Sequence, residues 1–342
     1  MRAAISADRI RSSASSTADF DDRWHIWAAG PRTPSSERAI AAALEEIAVR
    51  DPNRAMALAL AEGNFRLREA LRNAVLKGWA ESFPADSANW ALALPEADRR
   101  SALEPVFAGA ARDPEGAAQL GARLCAKDPA KAAEYGQLLV SALTDAGAYG
   151  TAAKFAEADP SENRATWLNA SFYQWAAHQP EEAMAALQGI AERQGRVSAF
   201  QGLVSGWAES NPAGLATYAL QLPAGEDRDL ALGHALPEWV ARDPLAASQW
   251  MVSSFVPSPD LDDGVAAVAA LPSLVGQQPE IAVGWAENIT DPVLRTSTLK
   301  SVAQQWAGRD EGAARLFIAS LPGLPAEDRA ALLEGLEPAS NP

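Results

Sequence analysis

Arginine stands at positions 68, 164, 196, 228 and 295 of this 342-residue chain, each time eleven residues ahead of a tryptophan, and Arg99 falls one place off that register. Eleven residues are close to three turns of an α-helix, so the Arg and Trp of each set project from the same side of one helix. Two chemistries need the planar, multi-donor guanidinium, and no lysine occupies the column. Inside the molecule, each Arg could pair with an acid or cap the carbonyl oxygens of a neighbouring segment. Alternatively, Arg68, Arg164, Arg196, Arg228 and Arg295 could line up as a positive stripe that grips an acidic peptide through two-pronged hydrogen bonds. The internal role is the expected one. The stripe remains the binding alternative.

Other reactive residue types are sparse. His25, His178 and His234 are far apart and lack any metal-ligand spacing of the HExxH kind. Cys125 is the single cysteine, which excludes an internal disulfide and a CxxC metal site. It falls at a helix end and reads as a small packed residue rather than a nucleophile. No GxSxG, glycine-rich phosphate loop or dinucleotide fingerprint occurs. The expectation is therefore no catalytic residues, no metal and no cofactor.

One segment pulls the other way. PDLDD at 259–263, followed by QPEIAVGW at 278–285, resembles the class II terpene cyclases, which are also built of helical repeats. That resemblance implies an acidic cluster (Asp260, Asp262, Asp263) that protonates the substrate and aromatics such as Trp285 that stabilise a carbocation. Yet Asp262 and Asp263 fall where other parts of the chain have Glu226-Asp227 or Glu327-Asp328, acids suited to a helix start. Trp285 occupies an ordinary aromatic column. Helix capping accounts for both halves, and the cyclase is kept only as the alternative.

The elements that hold these residues come from a repeat. WAESFPADSANWALALP at 79–95 returns as WAESNPAGLATYALQLP at 207–223, identical at eleven of seventeen positions and 128 residues on. Since 128 is four times 32, intermediate copies are expected, and they occur: anchors stand at 47, 79, 109, about 143, 175, 207, 239, 274 and 306. Eleven residues after the anchor comes a large apolar residue (Trp90, Tyr218, Trp250, Trp285, Phe317), and eight or nine after it a small one (Ala88, Ala118, Ala183, Ala216, Ala247, Ala314). Eight of the eleven tryptophans sit in just two columns, so the Trp excess is architectural. Asx-Pro, as in Asn211-Pro212 and Asp243-Pro244, starts a short helix by capping and by a preset φ. Leu-Pro, as at 94–95, 222–223 and 321–322, stops it. The stretch between carries apolar residues at threes and fours and reads as a longer helix, with Pro237 inside one of them as an expected kink.

A pair this short cannot bury its own apolar face; stacking on its neighbours can. The reading is all-α, a right-handed α-solenoid of about nine two-helix repeats, with a disordered leader over 1–20 and a single solenoid domain over 21–342 (repeats about 37–338). DPLAASQW at 243–250 resembles the junction of tetratricopeptide repeats. Leu-Gly and the downstream Tyr of those repeats are missing, so the similarity is to the broad tetratricopeptide/HEAT-like group. It implies a scaffold that binds proteins or peptides along a curved surface.

Composition narrows the partners. A net charge of −15 and a pI near 4.7 argue against a nucleic-acid backbone or an anionic membrane. No window of eighteen apolar residues is present, so no membrane insertion is expected. The first twenty residues lack the apolar stretch of a secretory signal, which places the chain in the cytoplasm as written, or outside it if a signal or anchor was removed ahead of Met1. The expected function is a non-enzymatic protein- or peptide-binding scaffold; a structural, self-assembling array is the third reading.

Overall fold

The computed structural model describes residues 33–320 and 326–334. The leader over 1–20, His25 and the Leu321-Pro322 stop lie outside the described residues. Among those described, all regular structure is helical, with nineteen α-helices, two 3₁₀ turns and no strand.

The helices fall into two compact units divided between Asn163 and Arg164. The first holds α1 (Pro34–Ala48), α2 (Pro52–Leu60), α3 (Phe65–Ser82), α4 (Pro84–Leu92), α5 (Glu96–Ala110), α6 (Pro114–Lys127), α7 (Ala132–Asp145) and α8 (Tyr149–Ala158). In the second, α9 (Asn163–His178), α10 (Pro180–Leu187), α11 (Arg193–Ser210), α12 (Pro212–Ala219), α13 (Glu226–Arg242) and α14 (Pro244–Ser254) continue the alternation of long and short. It ends with α15 (Asp262–Ala269), α16 (Pro272–Gln277), α17 (Pro279–Glu287), α18 (Pro292–Ser320) and α19 (Ala326–Glu334). Taking α15 with α16 as one long member, and the two halves of α18 on either side of a non-helical Asp310 as another pair, gives nine pairs in step with the nine anchors.

One residue makes most of the long-to-short junctions. Asp51, Phe83, Asp113, Gln179, Asn211, Asp243, Gln278 and Asp310 all take φ between −115 and −148 with ψ between 65 and 91. Each begins a short helix, and Phe83, Asn211, Asp243 and Gln278 also end the helix before it, whereas α1 and α5 end two residues earlier, at Val49 and Ala111. Where the residue follows a tryptophan by four, its N–H donates to that Trp carbonyl, at 2.9 Å for Phe83, 2.8 Å for Asn211 and 2.7 Å for Asp243. Where it is Asp or Asn, its side chain also accepts from the N–H three residues on, at 3.1 Å for Asp51, 2.9 Å for Asn211 and 3.0 Å for Asp243. Orphan groups of both helix ends are thus met by a single residue. The following Pro has no N–H to lose. The weak copy near Leu143 departs from this: α7 and α8 are joined through Ala146–Ala148, with Gly147 at φ +75.

Successive long helices form the core of each unit. In the first, Leu44, Leu71, Leu76, Leu103, Phe107, Leu139 and Leu143 from α1, α3, α5 and α7 are buried together. In the second, α11 packs on α13 and α13 on α15, and the intervening short helices pack on the long helices beside them. Ala88, Ala183, Ala216, Ala247 and Ala314 are buried as their column requires, while at Ala118 the preceding Ala117 takes the buried place. Contact between long helices goes down to backbone. A Cβ on Gly78 would lie 2.0 Å from the Glu45 carbonyl oxygen, and one on Gly206 equally close to that of Tyr173.

Pro237 lies within an unbroken α13. At the equivalent place in the eighth pair, Leu271 takes φ −59, ψ 121 ahead of Pro272, and the long helix divides into α15 and α16. A residue before proline is pushed toward this extended region, and here the chain yields to it.

Candidate functional site

The arginine column resolves into three kinds of engagement. Arg68 Nη1 donates to the Glu62 carbonyl at 3.0 Å, Arg99 Nε to the Leu94 carbonyl at 2.9 Å, and Arg295 Nη1 to the Ile289 carbonyl at 3.0 Å. Each carbonyl lies two residues past the end of the preceding short helix, α2, α4 or α17. There a helix leaves its last carbonyls without partners, and a guanidinium from the next long helix supplies the donor.

Arg228 works across repeats. Its Nε and Nη2 meet Oδ2 and Oδ1 of Asp260 at 2.8 and 2.7 Å, and Nη2 also donates to Ser258 Oγ at 2.9 Å. Both side chains are mostly shielded, at 16% and 19% exposure. Hydrogen bonding from Arg228 holds the Asp260 carboxyl far below the usual carboxylate range, against the opposing effect of burial. Arg164 stands 3.8 Å from Glu192, the residue whose carboxylate caps the start of α11. Arg196 is exposed, and no ion pair reaches it among the described residues. The five residues therefore share a register without sharing a task.

The acids of the DLDD segment are equally committed. Asp262 is buried and accepts from Thr290 N–H at 2.7 Å, Thr290 Oγ1–H at 2.7 Å and Asp291 N–H at 2.8 Å. Burial pushes its carboxyl up, but these donors and the charge of Arg295 outweigh it, and the net shift is downward. The sequence places Asp262 among acids serving their own helix start. Its carboxylate instead ties the first turn of α15 to the turn ahead of α18. Asp263 is exposed. Asp229, on α13, is pushed up by burial and by the nearby charges of Asp263 and Asp260.

Cys125 lies in the last turn of α6, half-buried, with its Sγ–H directed at the Ala132 carbonyl at 3.6 Å. Burial, then the negative charge of Asp159, push the thiol up to about 11, so it is protonated at neutral pH. His178 closes α9 with Nδ1 2.9 Å from the Gln174 carbonyl, and His234 is exposed on α13. Among the described residues, no group of three or more His, Cys, Asp or Glu side chains is placed to hold a metal.

The aromatic columns meet as pairs. Trp207 stacks on Tyr218 at 5.2 Å, Trp239 packs on Trp250 at 5.5 Å and Trp306 on Phe317 at 5.1 Å, so anchor and anchor-plus-eleven close these three hairpins. Trp207, Trp285 and Trp306 are buried, and Trp79, Trp175 and Trp239 are half-buried, Trp79 packed against the core of the first unit. The Trp285 indole N–H finds Ser248 Oγ one repeat back, at 3.3 Å.

Neither a family model, nor a curated protein, nor a solved structure matches this chain. Among the described residues, no helix is long and apolar enough to cross a membrane.

Proposed function

We infer that this chain is a non-catalytic scaffold, a right-handed solenoid of helix pairs in the manner of the tetratricopeptide and HEAT-like group, that binds a protein or peptide. The observation that carries the reading is the junction. One backbone conformation recurs at eight places, most of them 30 to 35 residues apart, and each sets a long helix against a short one in the same way. Repetition of this kind yields extended surface rather than a single enclosed site. The residue types that could do chemistry are occupied in holding the helices. Asp260 is ionised against Arg228 and Asp262 against three donors, which leaves neither with a proton to give and weighs against the cyclase alternative.

Of the column, Arg196 is the one member suited to contact a partner, because it is exposed while the others reach carbonyls or acids of their own unit. The test is affinity capture with the intact chain from its native source, read by mass spectrometry. The expected result is a protein partner retained in fixed ratio and weakened when Arg196→Gln is used as bait. Recovery of further copies of this chain alone, with a mass that grows with concentration, would favour the self-assembling array.

A further inference from the structure

WAESFPAD at 79–86 and WAESNPAG at 207–214 differ at two positions, and both belong to the start of a short helix. In the second, Asn211 accepts from the Gly214 N–H at 2.9 Å and caps α12. In the first, Phe83 stands for the Asn and Asp86 for the Gly, and α4 begins without a side-chain cap. Phe83 is 48% exposed. Of the eight junction residues it alone is apolar. Gln179 and Gln278 also leave their helices uncapped, but their amides suit water. An acid in the first turn, such as Asp86, suits any helix start. An exposed ring in the place of a cap serves folding in no such way, and local rules are broken in this manner where a residue is needed for something else.

The surroundings of the ring indicate what it meets. Lys77 reaches Glu45 at 2.7 Å and Arg112 reaches Glu81 at 3.4 Å, so α1, α3 and α5 stack in order and their junctions are neighbours. Across 46–54, 81–86 and 112–115 these junctions carry six acids against three arginines. Among the described residues, the cation that stands over an aromatic face is Arg68 over Phe65, which leaves the Phe83 ring without one. Asp86 is exposed, and no hydrogen bond or ion pair engages its carboxylate among the described residues. Side chains at a helix cap and three residues on are neighbours. An aromatic face beside an open carboxylate favours a cation, through the ring quadrupole and through a charged hydrogen bond. The chain's net charge of −15 adds long-range attraction of the same sign.

We propose that Phe83 and Asp86 are the centre of a docking surface for a basic segment of a partner protein, with an arginine guanidinium laid on the ring and paired to the carboxylate. This rests on the scaffold reading and names the chemistry of its partner.

The probe is the peptide acetyl-Ala-Arg-Leu-Arg-Ala-amide, with its glutamate counterpart, titrated into the full chain labelled at phenylalanine. The Phe83 ring resonance, assigned by its loss in Phe83→Asn, should shift saturably with the arginine peptide. The glutamate peptide should bind more weakly by about two- to fivefold or more, the scale of one exposed ion pair. Asp86→Asn should weaken the arginine peptide by a similar factor. Phe83→Leu keeps apolar bulk without the π face and should weaken a dye-labelled arginine peptide, read by anisotropy, by about twofold or more. Phe83→Asn supplies the cap that Asn211 makes, so it should melt no lower than wild type while losing affinity at least as far as Phe83→Leu. The proposal is overturned by an unmoved Phe83 ring, by equal binding of the glutamate peptide, by wild-type affinity in Phe83→Leu, or by a lowered melt of Phe83→Asn, which would make the ring a folding residue. The scaffold reading is judged apart from this. A native partner captured equally by wild type and Phe83→Asn would leave the scaffold standing and overturn this surface, whereas capture of no partner by either would count against the scaffold and leave the peptide titration to decide the surface.

Discussion

Arg228 and Arg196 occupy the same column and differ in everything that follows from it. Arg228 donates twice to Asp260 from a largely shielded position, so Arg228→Gln leaves a carboxylate without its partner. The expected cost is about 1–3 kcal/mol in chemical denaturation, the range for stranding one member of a polar pair. Arg196→Gln should leave the curve within about 0.5 kcal/mol, as for ordinary surface changes. Matching curves for the two variants would show that the Asp260 pair carries no stability. The same pair predicts a pH dependence. Asp260 has its pKa lowered on folding, so its contribution is complete above the unfolded value of about 3.9 and is lost as pH falls toward the folded value. Asp262 acts in the same direction. Acid titration monitored by circular dichroism should therefore show Asp260→Asn less stable than wild type at neutral pH, with the gap closing below about pH 4. A constant gap down to pH 2 would count against the depressed carboxyl.

At the scale of elements, the close approach of α9 and α11 rests on Gly206. An Ala there would place its Cβ 2.0 Å from the Tyr173 carbonyl oxygen, and backbone cannot rotate out of the way as a side chain can. Gly206→Ala gains helix propensity of about 1 kcal/mol yet should destabilise by about 1–3 kcal/mol net, because the two helices must part. A thermal melt that rises with the substitution would refute the contact. This glycine also shows what the sequence makes legible. Long and short helices, their junctions and their order were readable, since Asx-Pro, the Trp anchor and the alanine columns are local signals, each recurring at several of the nine anchors. Gly78 and Gly206, each one residue before an anchor Trp, share a column too, but glycine inside a helix reads as weakness until the facing carbonyl is seen. Pro237 and Pro272 are indistinguishable by register, and only the second interrupts its helix. The link from Asp262 to Thr290 spans 28 residues and needs the fold to bring it together. The arginine column was legible as a column, though not as three different engagements.

Across a whole unit, stability belongs to neighbours rather than to single helices, because each pair buries its apolar face on the next. Trp207 tests this. It is 5% exposed, stacked on Tyr218, and stands beside the Gly206 contact with α9. Trp207→Ala should cost about 3–5 kcal/mol, as for other buried tryptophans. The location of that loss is the sharper reading. If the pairs are coupled, amide exchange should accelerate in α11 and α12, and also in α9, α10, α13 and α14, which hold no altered residue. The effect should fade toward α17 and α18. Were the pairs independent, exchange would quicken in α11 and α12 alone, and α13 would keep its protection although it packs on both. The unpartnered indole N–H of Trp207 sharpens the comparison with Trp207→Phe. That variant keeps a ring against Tyr218 and removes a buried donor that has no acceptor. It should therefore restore most of the loss, and restore exchange protection in α9 and α13 together with that in α11.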